Sequence, residues 1–218
     1  MGYKSLAQMP ARRNGPVRSN VSRHTSTTAH TAPLERKFMS SIETLKYLDQ
    51  LIVPDQRNLN LSLADKDGKP QKLTIELWHQ KISETKLHRG VPARLVDHFS
   101  QAQNLTLYAW YNYQFHAGAQ LLCCASLEMS LREKLKNNGM LRSLLKKAID
   151  DGIFPNAELR KYVCKMPSDP LPSELLLATL PQIRNGFAHG ADSMNPFSIT
   201  TLRVVSTIVN SLFPLPAK

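Results

Sequence analysis

From Pro92 onward the apolar positions fall three and four residues apart, the spacing that lines one face of a helix. Leu95, Phe99, Ala102, Leu105, Ala109 and Tyr113 form the first such stripe, with Trp110 beside it and Pro92 suited to an opening turn. A second run, Tyr113 to Lys136, is apolar on more than one face and ends in Asn137-Asn138-Gly139. It is expected to be a central, largely buried helix with a C-cap at its end. Leu141, Leu144, Leu145, Ala148 and Ile149 mark a shorter amphipathic helix, stopped at Gly152, with Lys146 and Lys147 on its outer face. After an irregular stretch punctuated by prolines, Ser173 to Leu180 reads as helical. Thr179 and Gln182 make a T-x-x-Q box around Pro181, which predicts a fresh or kinked helix ending at Gly190. The last helix has Asn195 as N-cap and Pro196 as its first residue. Its apolar face carries Leu202, Val205, Ile208, Val209 and Leu212, and it stops before Pro214.

The pattern before Pro92 is less uniform. Ser40 and Glu43 form a capping box, and Ile42, Leu45, Leu48, Leu51 and Ile52 recur at helical spacing, which predicts a helix to about Val53. Leu59, Leu61 and Leu63 then alternate with polar residues, Asp67-Gly68 follows, and Leu73, Ile75 and Leu77 alternate again. That is a hairpin pattern, although Leu73 to Lys86 also reads as a helix. The expected organisation is a disordered basic arm (1–38), an accessory segment with a helix and either a β-hairpin or a second helix (39–91), a helical domain (92–213) and a short tail (214–218). The fold class is mainly α, an antiparallel helical bundle with an N-terminal accessory piece.

Composition narrows the class. The chain has 218 residues, 42% hydrophobic and 21% charged, ordinary globular usage with room for a self-sufficient core. The most apolar run, Leu121 to Leu135, carries Glu128, Arg132, Glu133 and Lys134, so no membrane span is expected. Cys123, Cys124 and Cys164 make neither a disulfide framework nor a four-ligand zinc site and read as reduced, buried small hydrophobes. No N-terminal apolar run directs secretion, and Pro10, Pro16 and Pro33 argue against a presequence helix, so a cytoplasmic location is expected.

Net charge is +11. Lys4, Arg12, Arg13, Arg18 and Arg23 lie in the first 34 residues with no acid among them, so nearly half the excess sits in the arm. Such an arm binds RNA or DNA backbone nonspecifically, or is a solvated tail, or precedes a true start at Met39. A DNA-binding reading rests on the arm alone, since no helix-turn-helix is legible.

No Gly-rich phosphate loop, G-x-S-x-G elbow, H-E-x-x-H or clustered acidic ligand set occurs, and His79, His88, His98 and His116 lack ligand spacing. What remains is Arg184-Asn185-Gly186-Phe187-Ala188-His189-Gly190. An Arg and a His with four to six residues between them arise about once by chance in such a chain, and Arg18 to His24 and Arg23 to His30 also fit the spacing. Context sets the third match apart: a polar Asn185, small Ala188 and Gly190, and amphipathic helices on both sides. This heptapeptide resembles the signature of the HEPN superfamily, an Arg followed by four to six residues and a His. The run from Tyr108 to Leu135, with Ala125-Ser126-Leu127-Glu128 and Leu131-Arg132, is similar to the long helix of that family. The resemblance covers about residues 92 to 213.

It implies a metal-independent endoribonuclease of the toxin or anti-phage defence type, without cofactor, working as a homodimer, with a cognate antitoxin or regulatory protein as a further partner. Arg184, Asn185 and His189 are the implied catalytic residues. Asn185 and His189, four apart, share a helix face, whereas Arg184 is about 140° round from His189 and must reach. Arg supplies a planar fork for phosphoryl oxygens, His exchanges a proton near neutrality and Asn orients either. The competing readings are a non-catalytic module that binds RNA, a nucleotide or a protein, and an ordinary helix end whose Arg is in an ion pair.

Glu128 is the second candidate. Leu121, Cys124, Glu128, Leu131 and Leu135 repeat at 3-4-3-4 spacing, which sets an acid at a core-facing position. Arg184 or Arg132 is its expected partner, Arg132 through a purely local i,i+4 pair. Each chain brings one motif histidine, so base and acid come either from two chains, packed through the last helix near Phe197 or Phe213, or from His189 and Glu128 of one chain. Trp110, Tyr111, Tyr113 and Phe115 read as core, with Tyr111 able to stack a base if exposed.

Overall fold

The computed structural model describes residues 45–64, 68–164, 166, 168–189 and 198–216. The expected arm at 1–38, the Ser40/Glu43 box, Gly190, Asn195, Pro196 and Phe197 lie outside the described residues. The chain divides at Thr44, and the unit from Leu45 holds every element that follows. It is mainly helical, with α1 Gln56–Leu59, α2 Ile75–Ser83, α3 Ala93–Tyr108, α4 Phe115–Leu135, α5 Leu141–Asp150, α6 Asn156–Val163, α7 Pro172–Ala188 and α8 Ser198–Leu212. A two-stranded sheet of β1 Ser62–Ala64 and β2 Pro70–Lys72 lies between α1 and α2. No helix among the described residues is long and apolar enough to cross a membrane.

α4 is the axis of the fold and packs against α3, α5, α7 and α8. Ala119, Cys123, Cys124, Leu127 and Leu131 are buried round much of its circumference, as an all-round apolar helix requires. Its buried serines bond back into the helix, Ser126 to Leu122 O at 2.9 Å and Ser130 to Ser126 O at 2.8 Å, which removes the cost of their burial. Gly118 lets α3 approach closely, since a Cβ there would lie 3.0 Å from Leu105 Cδ2.

The bundle is not uniformly antiparallel. Arg94 meets Glu133 and His98 meets Ser126, so α3 and α4 run in opposite directions. His116 meets Ser198, Gln120 meets Thr201 and Lys134 lies 5.9 Å from the Phe213 ring, so α4 and α8 run the same way. α8 has Ile199, Leu202, Val204, Val205, Ile208, Val209 and Leu212 buried inside its own chain. Its described apolar residues therefore serve the core, and Phe213 is partly buried against it, while Phe197 lies outside the described residues.

Before α3 the two local patterns part from the structure. Leu45–Val53 forms only a 3₁₀ turn at Leu48–Gln50, and Leu45 and Ile52 are 93% and 81% exposed. A helical stripe without a surface to cover gains nothing from helix formation. The hairpin exists, with Leu63 opposite Gln71 and Gly68 at φ +77° in its turn, but it ends at Lys72. Leu73 still donates to Leu61 O at 3.0 Å, then Thr74 caps α2 by accepting from Leu77 N at 3.2 Å. The helical alternative holds from there because Trp78 and Ile82, four apart, are buried together, and Trp78 Nε1 donates to Thr106 O at 3.0 Å.

In the C-terminal half, α6 occupies the stretch that reads as irregular. It buries only Leu159, so its sequence carries almost no periodicity. α7 runs unbroken through Pro181, and the T-x-x-Q cap does not form; Thr179 Oγ1 instead donates to Leu175 O at 2.8 Å. Burial of Leu180 and Pro181 offsets the backbone bond that proline removes. Cys123 and Cys124 are buried, whereas Cys164 is only partly so. Trp110 and Tyr113 are core, Tyr111 is partly buried, and Phe115 is 38% exposed.

Candidate functional site

Ser173, Leu176 and Leu180 face the core along α7, and Arg184 follows one turn beyond Leu180 on the same side. This aims the arginine at α4. The first rung of the contact sets Cys124 Sγ 4.0 Å from Leu180 O, and the next brings Arg184 Nε to 3.8 Å from Glu128 Oε2. Both residue numbers rise by four from rung to rung, so α7 passes α4 in the same direction and the ion pair occupies the end of the contact.

Glu128 lies between two guanidinium groups. Its Oε1 accepts from Arg132 Nη2, and its Oε2 faces Arg184. Both partners expected for this acid are therefore present at once. Arg132 is oriented a second time, because its Nε donates to Gly139 O at 3.2 Å. The turn that presents this carbonyl opens at Lys136, which takes the left-handed conformation (φ +50°) that caps α4. Gly139 N then donates to Asn137 Oδ1 at 2.7 Å, and a Cβ at Gly139 would lie 2.5 Å from Ser143 Oγ. The carboxylate is 11% exposed, whereas Arg132 and Arg184 are 41% and 33% exposed. A shielded acid thus holds two arginines whose outer edges face solvent, with one positive charge in excess.

Asn185 joins this group, accepting from Arg184 Nη1 through Oδ1 at 3.3 Å. His189 does not. It caps α7, its backbone N–H donating to Asn185 O at 3.0 Å and Gly186 O at 3.2 Å, while its exposed ring has no side-chain partner among the described residues. Asn185 and His189 share the outer face and Arg184 the inner one, so Asn185 joins the group only through the side chain of its neighbour Arg184. Cys124, one turn before Glu128, is no nucleophile. Burial raises its thiol to about 12, with Glu128 adding to the rise and Arg184 opposing it.

Sequence reasoning missed one part of the surroundings. Arg94 from the first turn of α3 reaches Glu133 on α4, with Nη2 2.7 Å and Nε 3.1 Å from Oε2. No local signal marks this pair, because it depends on how α3 and α4 align over 39 residues of separation. Among the described residues, no three His, Cys, Asp or Glu side chains converge as a metal ligand set would. In comparisons with protein-family models, curated proteins and solved structures, the chain finds no match.

Proposed function

We propose that the chain is an endoribonuclease of the HEPN-like kind that cleaves RNA by internal attack, with Arg184, Asn185 and His189 at its reacting centre. The observation that carries this reading is the clamp on Arg184: Glu128 on one side and Asn185 on another orient a partly exposed guanidinium on the helix that ends at the exposed His189. A phosphodiester laid against that edge meets a planar, permanently charged donor. The ribose 2′-oxygen attacks the adjacent phosphorus and loses its proton to a base. The crowded phosphorane gathers charge that Arg184 stabilises, and the 5′-oxygen leaves as it gains a proton, which leaves a 2′,3′-cyclic phosphate. His189 handles one of these protons. No step of this route calls on a metal ion.

Because internal attack uses both a base and an acid while each chain brings one motif histidine, the working unit in this reading is a homodimer that faces two motifs across one cleft. Sedimentation across a dilution series tests this, together with mixing His189→Ala chains with Arg184→Ala chains. An active species that stays monomeric would remove the shared cleft and leave the residue assignment standing.

A second reading is a module that binds RNA without cutting it. It is favoured by the unpartnered ring of His189, which nothing among the described residues orients. The two part in one experiment, total RNA incubated with purified protein in chelator. His189→Ala should lower cleavage by about 100-fold or more at unchanged melting temperature, since the side chain is exposed. Arg184→Lys, which keeps charge and loses the fork, should lower it by about 100- to 1000-fold. Wild-type protein that binds RNA and leaves it whole would establish the second reading.

A further inference from the structure

An RNA strand held at Arg184 continues past it, and the ion cluster itself leads to a neighbouring concavity. A pocket of about 260 Å³ is lined by Arg94, Met129, Arg132, Glu133 and Asn138. Arg132 belongs to both places, since Glu128 bridges it to Arg184 on one side while its guanidinium lines the pocket on the other. We infer that this pocket is a second phosphate subsite, which takes a ribose-phosphate of the RNA strand next to the one at Arg184. The inference rests on the reading of Arg184 and His189 as an RNA site.

The donors left over after internal bonding give the subsite its chemistry. Arg94 uses Nε and Nη2 on Glu133, and Arg132 uses Nη2 on Glu128 and Nε on Gly139 O. Each therefore keeps Nη1, with two N–H groups, uncommitted among the described residues. The exposed Asn138 side chain adds an amide that has no partner among them. Glu133 is the one carboxylate in the lining. Its Oε2 is held against Arg94, and its side chain is 22% exposed against 68% for the arginine, so the cation is the group presented to a ligand. Both guanidinium planes are set in advance by buried or half-buried acids, which lowers the entropy lost when a phosphate arrives. Arg94, Arg132 and Arg184 outweigh Glu128 and Glu133 by one charge. The volume suits a sugar and a phosphate but not a base as well, consistent with backbone binding that ignores sequence.

A second concavity among the described residues does not compete for this ligand. It is larger, about 500 Å³, and is lined by Ile75, Glu76, His79, Leu107, Tyr108 and Tyr111, mostly apolar with a carboxylate on its wall. That wall repels a phosphate.

The test uses the full chain and a labelled 2′-O-methyl RNA oligonucleotide, which binds but cannot undergo internal attack. Anisotropy titrations over a salt series compare wild type with Arg94→Gln, and with Lys146→Gln as a control that loses the same charge on the outer face of α5. Arg94→Gln should weaken binding about 5- to 10-fold at low salt and reduce the salt slope by about one, whereas Lys146→Gln should change affinity less than about twofold. On cleavable RNA, Arg94→Gln should show its effect as a raised KM. If Arg94→Gln binds like wild type or like Lys146→Gln while wild type still cuts RNA, the subsite is refuted and the nuclease reading stands. If wild type binds no RNA at all, both fall together.

Discussion

Two polar clusters hang on α4 three turns apart, and they have opposite characters. At its first turn His116 is 1% exposed, wedged edge-on between Trp78 and Tyr113 with ring centroids at 5.8 and 4.9 Å. Asn58 donates its amide to Ala109 O at 2.7 Å and Trp110 O at 3.1 Å, so its oxygen is what faces His116 Nε2 at 3.4 Å. That ring nitrogen must carry the proton, and Nδ1 accepts from Ser198 Oγ at 2.7 Å. Burial drives the imidazole down to about 4, Asp55 pulling it up and Arg57 adding to the fall, so it is neutral at physiological pH. Both imidazole nitrogens, the Asn58 amide and the Ser198 hydroxyl find their partners inside the chain. Around Glu128 the groups are charged, the arginines reach water, and donors remain for something outside. Groups paired with one another suit a support that ties the accessory segment to α4 and α8, whereas surplus donors at a surface suit a ligand.

The largest expected effect on stability is therefore at His116. At pH 8, His116→Ala should cost about 3 kcal/mol, from lost packing between two aromatic rings and from stranding Asn58 Oδ1 and Ser198 Oγ. Acidification should act on wild type in the same way. The folded state binds the proton less tightly than the unfolded chain, so this contribution is present above the ordinary value of 6.5 and is lost as pH falls from there to about 4. The loss is on the order of 3 kcal/mol at most. Denaturant titrations at several pH values check both, and the alanine variant should lose most of the slope across that window. Asp55 does not blur the measurement. Burial raises its pKa, but hydrogen bonds from Arg57 and from the Tyr113 N–H outweigh this and bring it to about 2, so its share is lost only below its ordinary value of 3.8.

Glu128→Gln should produce the smallest change in stability, under about 1 kcal/mol, because both arginines reach solvent and are free to rehydrate. Its signature should lie elsewhere. Under the proposed ribonuclease reading, removal of the anion leaves positive charge in excess while it frees Arg184 from its clamp, so affinity for RNA should hold or rise while cleavage falls about tenfold. Parallel measurement of Kd on non-cleavable RNA and of kcat resolves the two. Equal losses in both would assign Glu128 to folding, like His116, and erase the contrast between the clusters.

The parts legible in the sequence are those whose cause is local. α3, α4, α5 and α8 follow from apolar spacing alone, because a stripe of three and four must cover something and their stripes find cores to cover. The same rule exposed Glu128 as an acid at a core-facing position, and its burial follows that register. Where the spacing had no surface to meet, at Leu45 to Ile52, the rule gave a helix that does not form; where only Leu159 is buried, it missed α6. It also could not weigh Trp78 and Ile82 against the alternation of Leu73, Ile75 and Leu77, since only packing against other helices rewards the former. Chain direction, the second arginine on Glu128, the Arg94–Glu133 pair and the neutral state of His116 were decided by tertiary structure alone. Each joins groups from separate elements, and whether a guanidinium reaches a carboxylate or an imidazole loses water depends on how whole helices align, a quantity that no window of sequence contains.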